Sequence, residues 1–214
     1  LATGMLLERL GKHFVMIFHD QIVDPRYRFL KYWDKIRSCS DQLKPGDYLP
    51  SGRVESAIIL DVPGRKRLGD VSNILPDPEH CLKIDHHPVE DVFNENDWVD
   101  EEASSTTAMV YEVIEVSGVQ VDIELAKAIY TGIVYDTGRV SFSNTRARDL
   151  AICAKMVDIG VKPDVITNDI FFENSFKAVK TIGKGLHSLE SHLDGAVNVV
   201  YLGYEDLLDN NQTE

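Results

Sequence analysis

The sequence predicts an α/β fold in which a mostly parallel sheet is covered by helices on both faces. Short apolar segments typical of buried strands alternate along the chain with longer segments of helical periodicity. Two of these strands, Ser56–Asp61 and Cys81–Asp85, are apolar runs that each end in an aspartate. The length of 214 residues suits one large domain, or one domain together with part of a second.

The predicted elements follow one another in a regular order. Leucine and methionine recur at helical spacing in residues 1–12, which predicts a first helix that ends near Gly11. A buried strand over 13–18, a short amphipathic helix over 27–36 and the two aspartate-ended strands come next. Helices are then predicted over 104–118, 123–138 and 146–160, with further helices opening at Pro163 and Phe176 and a final strand over 195–202.

The chain divides unequally into a predicted domain, a linker and the beginning of a second domain. We expect the first domain to occupy 1–187, the linker 188–195 and the start of a second small α/β domain 196–214. Only about 20 residues follow the linker, which is too few for an independent domain. The sequence therefore indicates a chain that stops just inside its second domain.

The charge balance restricts the partners that the chain can bind. Lysine and arginine together number 22 and aspartate and glutamate 35, which gives a net charge of −13. A surface this acidic repels phosphate backbones, so we expect no binding of long nucleic acid by this chain alone. A small phosphorylated substrate, held by a metal and a few local cations, stays compatible with the same charge.

The cysteines and the apolar runs bear on location. Cys39, Cys81 and Cys153 are far apart and odd in number, so they predict three reduced thiols rather than a disulfide framework. The sequence contains no signal peptide and no apolar run as long as a membrane helix requires. We therefore expect a cytoplasmic protein that does not bind membranes.

Polar clusters stand at the ends of both aspartate-ended strands. Asp61 closes the first strand, and Asp85-His86-His87 follows the second. Ligands of open parallel sheets bind beyond the carboxyl ends of the strands, so the two clusters can converge on one site. Carboxylates combined with imidazoles suit Mn²⁺, Zn²⁺ or Fe²⁺, and an aspartate shared by two ions suits a two-metal hydrolase. Taken singly, Asp61 also fits a turn cap and the histidines an ordinary loop pair.

Two helix ends carry the other candidate residues. The segment Asp136–Arg139 places a carboxylate, a hydroxyl and a guanidinium close together, which suits a phosphate site but also an ordinary helix end. The hydroxyls of Ser104, Ser105 and Thr106 precede the helix over 104–118 or begin it. Such hydroxyls either cap a helix or receive an anion at its N-terminus.

The order of these motifs resembles that of one family. An aspartate after a strand is followed by Asp-His-His at 85–87, Ala-Ser-Ser-Thr at 103–106, Thr-Gly-Ile-x-x-Asp-Thr-Gly-Arg at 131–139 and Asn-Thr at 144–145. This order resembles the DHH phosphoesterases, in particular their branch of nanoRNases and 3′-phosphoadenosine-5′-phosphate phosphatases. The resemblance spans essentially the whole chain and implies a metal-dependent enzyme that cleaves phosphoesters.

The resemblance implies a set of metal ligands. Asp61 would bridge two ions, His86 would bind one of them and Asp136 would bind the second. The implied cofactor is a pair of Mn²⁺ ions, for which Mg²⁺ or Co²⁺ sometimes substitutes.

The resemblance also implies catalytic and supporting residues. His87 would contact the substrate phosphate, and Arg139 is a weaker candidate for the same role. Asp85 would orient an imidazole without binding the metal itself. Supporting hydroxyls would come from Ser104, Ser105 and Thr106.

One motif of the family has no match in the sequence. The first motif, His-x-x-x-Asp-x-Asp, is absent from the 214 residues. The Leu-Ala-Thr-Gly of residues 1–4 resembles the start of the helix that follows this motif, so the resemblance places the motif and its strand before Leu1. Because the motif would supply the remaining ligands of both metals, we expect these residues alone to be inactive and to belong to a longer enzyme.

The implied activity is hydrolysis of short oligonucleotides by a 3′–5′ exonuclease mechanism, hydrolysis of 3′-phosphoadenosine-5′-phosphate to AMP, or both. Pyrophosphatase, polyphosphatase and cyclic-dinucleotide phosphodiesterase are the alternatives within the superfamily. A catalytically silent nucleotide-binding or regulatory module is the alternative of another class. The expected partner is a small nucleotide or short oligonucleotide, and the resemblance is compatible with a homodimer.

Overall fold

The computed structural model of the chain describes residues 1–19, 23–39 and 44–208. The chain forms two compact units, Leu1–Ile170 and Phe171–Glu214. Residues 209–214, the end of the predicted second domain, lie outside the described residues. The boundaries expected for the first domain, the linker and the second domain stay predictions.

The first unit alternates short strands with helices, as the sequence predicts. Its strands are β1 (Met16–Phe18), β2 (Ile36–Ser38), β3 (Ala57–Leu60), β4 (Cys81–Asp85) and β5 (Trp98–Val99). Its α-helices are α1 (Ala2–Arg9), α2 (Thr106–Ser117), α3 (Ile123–Asp136), α4 (Ala147–Ile159) and α5 (Pro163–Thr167).

The strands of this unit pair in parallel. β1 pairs with β2, and β3, β4 and β5 form a three-stranded sheet in that order. The register of β3 and β4 runs from Ala57 opposite Cys81 to Leu60 opposite Ile84, so both strands end at the same edge. The α/β prediction with parallel strands flanked by helices is confirmed. The described parallel strands lie in two sheets, however, rather than in one.

The helices next to this edge are positioned by caps and close packing. The hydroxyl of Ser105 accepts a hydrogen bond from the Ala108 amide at 3.0 Å, which fixes the start of α2. Ile84, Ala103 and Met109 form a buried cluster that joins β4 to α2. Gly132 of α3 faces Thr107 of α2, and a Cβ at position 132 would overlap the threonine. The close approach of α2 and α3 therefore places the end of α3 beside the start of α2.

The prediction of an amphipathic helix over 27–36 is wrong. Pro25–Tyr27 and Trp33–Lys35 are single 3₁₀ turns, and the segment then continues into β2. Tyr32 has a left-handed φ of 74°, which interrupts any helix. Pairing of β2 with β1 satisfies the backbone of Ile36–Ser38, so long-range pairing overrides the helical spacing of the side chains.

The second unit contains helix α6 (Phe176–His187), an antiparallel pair of β6 (Glu190–His192) with β7 (Val197–Val199), and helix α7 (Tyr204–Leu208). Part of the segment expected as a linker is therefore a strand followed by a turn, because its backbone pairs with β7. Ser188 accepts from the Tyr201 amide and donates to the Tyr201 carbonyl, which closes this pair. Across the described ranges, no helix is both long and apolar enough to cross a membrane.

Candidate metal centre

Asp61 and the histidine pair meet because β3 and β4 are parallel and end together. The Asp61 amide donates to the Ile84 carbonyl at 3.1 Å, which extends the strand pairing by one residue. Asp61 then adopts a left-handed φ of 62°, a conformation that non-glycine residues rarely adopt. The turn leaves about half of the Asp61 side chain exposed, at 51%.

Asp61, His86 and His87 form a compact group of potential ligands. One ligand atom from each of the three lies within 4.8 Å of the others. Oδ1 of Asp61 is 3.5 Å from Nε2 of His86 and 3.8 Å from Nδ1 of His87. One carboxylate and two imidazoles fit a divalent transition metal such as Mn²⁺, Zn²⁺ or Fe²⁺ better than Mg²⁺.

A backbone carbonyl orients the ring of His86. Nδ1 of His86 is 3.3 Å from the Ala103 carbonyl oxygen, which can only accept, so Nδ1 carries the proton of the neutral ring. Nε2 then keeps its lone pair and faces Asp61. This is the arrangement that a metal-binding histidine needs.

Asp85 orients His87 rather than His86. Its Oδ1 accepts from Nδ1 of His87 at 2.8 Å and from the backbone amide of His86 at 2.8 Å. The Asp85 side chain is fully buried, and its Oδ2 has no partner among the described residues. These contacts single out the ring of His87 as the imidazole that Asp85 would orient, and that role stays a prediction.

Asp136 lies beside this group but not within it. Asp136 and Asp61 line the same cavity of about 170 Å³, with the start of α1 and the start of α2. Burial, together with repulsion from Asp61, raises the pKa of Asp136 to about 7, and His87 opposes the rise. Two carboxylates that disfavour each other's ionisation are stabilised when a cation lies between them.

The three hydroxyls that precede or begin α2 have different contacts. Thr106 donates to Oδ1 of Asp61 at 2.8 Å and so touches a candidate ligand directly. Ser104 donates to Oδ1 of the buried Asp149 at 2.7 Å. Ser105 caps α2, which is the alternative that the sequence left open for this cluster.

Asn144 and Asp149 are two further residues with buried or cross-element contacts near the candidate ligands. The side-chain amide of Asn144 donates to the carbonyls of Ser104 and Asp136, each at 3.1 Å. Asp149 also accepts from the Arg146 amide at 2.7 Å, which fixes the start of α4. In the sequence, Asn-Thr at 144–145 is only part of a motif, and an aspartate in the first turn of a helix does not indicate a partner 45 residues away.

Arg139 lies in a tight turn after α3. Gly138, Arg139 and Val140 all have left-handed φ angles, of 53°, 62° and 58°. The Arg139 amide donates to the Val134 carbonyl at 2.8 Å, and the Arg139 residue is exposed. The turn begins directly after Asp136, so Arg139 lies at the same end of α3 as this candidate ligand. A contact between its guanidinium and a phosphate stays a prediction.

Two curated proteins are similar in sequence to much of this chain. No protein-family model matches it. The Bacillus subtilis protein named bifunctional oligoribonuclease and PAP phosphatase NrnA is 31% identical over 145 residues, which cover 66% of this chain and 45% of the relative. The Thermus thermophilus protein of the same name is 29% identical over 202 residues, which cover 94% of this chain and 57% of the relative. The chain thus spans about half the length of the curated relatives it matches.

A solved structure shares the fold. An exopolyphosphatase-related protein from Bacteroides fragilis matches with a TM-score of 0.83, over 96% of this chain and 61% of that chain, at 21% identity. At this identity the match shows a common fold. The order of the motifs and the two curated relatives support membership of the DHH family of phosphoesterases, near the nanoRNase and PAP phosphatase branch.

Proposed function

We propose that this chain carries part of the active site of a metal-dependent phosphoesterase that hydrolyses short oligoribonucleotides, 3′-phosphoadenosine-5′-phosphate, or both. The observation that carries the proposal is the convergence of Asp61, His86 and His87 at one sheet edge, with Asp136 on the cavity that Asp61 lines. The names of the two curated relatives support the substrate class.

The proposed cofactor is a pair of Mn²⁺ ions. Asp61 would bridge them, His86 would bind one and Asp136 the other, with the protonation of His86 at Nδ1 leaving Nε2 available. When bound, divalent ions lower the pKa of water and offset the charge of a phosphate. Thr106 would hold the Asp61 carboxylate in its orientation through the 2.8 Å hydrogen bond.

His87 and Arg139 are the proposed phosphate contacts. The hydrogen bond from Nδ1 of His87 to Asp85 fixes the ring and leaves Nε2 as the atom available to a substrate. The cavity of about 170 Å³ is large enough for ions, water and a phosphoryl group but smaller than a nucleotide requires. The base and ribose would therefore be bound outside it.

Three expectations about the whole protein belong to the same proposal. They are a second small domain that begins within 196–214, a homodimer, and a cytoplasmic location. Sedimentation of the purified protein and fluorescence microscopy of a tagged protein would test the last two.

The test is hydrolysis by the full-length gene product with Mn²⁺ and, separately, with Mg²⁺. The substrates are dinucleotides, 3′-phosphoadenosine-5′-phosphate, pyrophosphate, polyphosphate and cyclic dinucleotides. We expect turnover of the first two, and a loss of at least about 1,000-fold in Asp136→Ala and His86→Ala with unchanged circular dichroism, because each loses a proposed metal ligand. Near-normal activity in either variant, or preferred turnover of another substrate, would contradict the assignment.

A further inference from the structure

Lys83 is a buried cation inside strand β4. Its residue is fully buried, whereas lysine is almost never fully buried in proteins unless its ammonium is paired. Burial of an ammonium is costly, so its hydrogen-bond partners indicate what it does. Lys83 is not among the candidate metal ligands or phosphate contacts.

The ammonium of Lys83 joins the two loops that carry the candidate ligands. Nζ donates to the Pro63 carbonyl at 3.2 Å and to the Asp91 carbonyl at 2.7 Å. Pro63 lies two residues after Asp61, and Asp91 lies four residues after His87. The Lys83 side chain therefore extends from β4 and binds both the loop after β3 and the loop after β4.

Backbone hydrogen bonds connect the same loops, which we call the β3 loop (residues 61–65) and the β4 loop (residues 86–91). The amides of Glu90 and Asp91 both donate to the Pro63 carbonyl at 3.2 Å. The Arg65 amide donates to Oδ2 of Asp91 at 2.9 Å. The two loops are thus joined by the buried hydrogen bonds of Lys83 and, around them, by hydrogen bonds between backbone and side-chain groups of the loops themselves.

We propose that Lys83 is a positioning residue that sets the separation of Asp61 from His86 and His87, and thereby the affinity of the site for divalent metal. The inference rests on the proposed function only in taking Asp61 and His86 as metal ligands. A metal ion in tetrahedral or octahedral coordination tolerates only small errors in ligand distance, so a shift between the loops weakens binding.

An apolar residue at position 83 could not connect the two loops by hydrogen bonds. The ammonium supplies two hydrogen bonds to carbonyls on different loops, and the four-carbon stem gives the reach. Without it, the Asp91 carbonyl would lose the 2.7 Å donor and the loops would keep only their mutual hydrogen bonds. We therefore expect a looser arrangement of ligands in a chain that still folds.

The test measures Mn²⁺ binding by electron paramagnetic resonance of the free ion, on metal-stripped full-length protein. Lys83→Met removes the charge and both hydrogen bonds at similar volume, and Lys83→Gln removes the charge but keeps an amide donor group on a shorter side chain. Ile114→Ala, in a fully buried position of α2 outside both loops, is the control for general loss of stability. All proteins are titrated well below their melting temperatures, which are recorded in parallel.

We expect the dissociation constant for Mn²⁺ to rise about 10-fold or more in Lys83→Met and less in Lys83→Gln, with Ile114→Ala close to wild type. Wild-type affinity in both Lys83 variants, or an equal loss in the control, would overturn the proposal, and Lys83→Gln decides if Lys83→Met fails to fold. Wild-type protein that binds Mn²⁺ but hydrolyses no substrate contradicts the proposed function alone. Wild-type protein that binds no Mn²⁺ overturns both.

Discussion

The carbonyl oxygens of Ser104 and Asp136 share the side-chain amide of Asn144, each at 3.1 Å. The neighbouring carbonyl, that of Ala103, accepts from His86. Two consecutive residues before α2 therefore connect a histidine that follows β4 with the end of α3. The candidate ligands on these elements are held by one short stretch of backbone rather than by separate contacts.

Asn144→Ala should weaken metal binding and turnover together. The variant loses the hydrogen bonds to the Asp136 and Ser104 carbonyls, which connect the end of α3 with the segment before α2, so Asp136 becomes less well placed. We expect the affinity for Mn²⁺ to fall about 10- to 100-fold, as for other residues that orient ligands. Isothermal titration of metal-stripped protein measures the affinity, and the exposed neighbour Ser143→Ala serves as a control that should bind like wild type.

Asp149→Ala should reduce stability more than a surface substitution in the same helix. It leaves the buried hydroxyl of Ser104 and the amide of Arg146 without their acceptor. We expect the free energy of unfolding to fall by about 3 kcal/mol. Urea unfolding measures the difference, and the exposed Asp158→Ala should change it by less than about 0.5 kcal/mol. Equal effects of the two substitutions would argue against a structural role for the carboxylate.

The stability of the metal-free protein should depend on pH through Asp136. Burial and the charge of Asp61 raise its pKa to about 7, above the ordinary value of 3.8. Between these two pKa values the folded chain binds a proton that the unfolded chain has lost, so the free energy of unfolding falls as the pH rises. The contribution of Asp136 to the free energy of unfolding is therefore fully present below about pH 4 and is lost as the pH rises through 7. Asp136→Asn should therefore gain stability relative to wild type from pH 5 to pH 8, measured by thermal unfolding in chelator. A constant difference would exclude the raised pKa.

Asp61→Gly should separate folding from metal binding. Glycine adopts the left-handed φ of 62° without the steric cost of a Cβ, and its introduction removes the charge that opposes ionisation of Asp136. The loss of the hydrogen bond from Thr106 acts in the opposite direction. We expect a melting temperature at or above that of wild type with no measurable Mn²⁺ binding. A clear loss of stability would show that the carboxylate supports the fold.

Part of the site was predictable because it depends on short-range patterns. The ends of β3 and β4 were predicted from apolar runs that stop at aspartates, and parallel pairing then brings Asp61 to His86. The helix end at Gly118 follows from a local signal of the same kind, and α3 ends at Asp136, two residues before the predicted end at Gly138. Such features need only a few neighbouring residues to be recognised.

The rest depends on contacts that cross the fold. The partners of Asn144 and Asp149 include residues 40 and 45 positions away, so their roles follow only from how α3 and α4 pack beside the start of α2. Lys83 gave a weak signal, as a charged residue in an apolar strand, but its two acceptors lie in separate loops. The wrong prediction of a helix over 27–36 has the same cause, because β2 forms through long-range pairing with β1.

The left-handed backbone of Asp61 has a consequence for directed evolution. A library that is selected only for thermal stability or expression should drift toward glycine or asparagine at position 61, because both adopt this conformation easily. A library that is selected for growth that requires the proposed hydrolysis should retain aspartate there. The identity of residue 61 among the survivors would thus report which of the two selections the population has experienced.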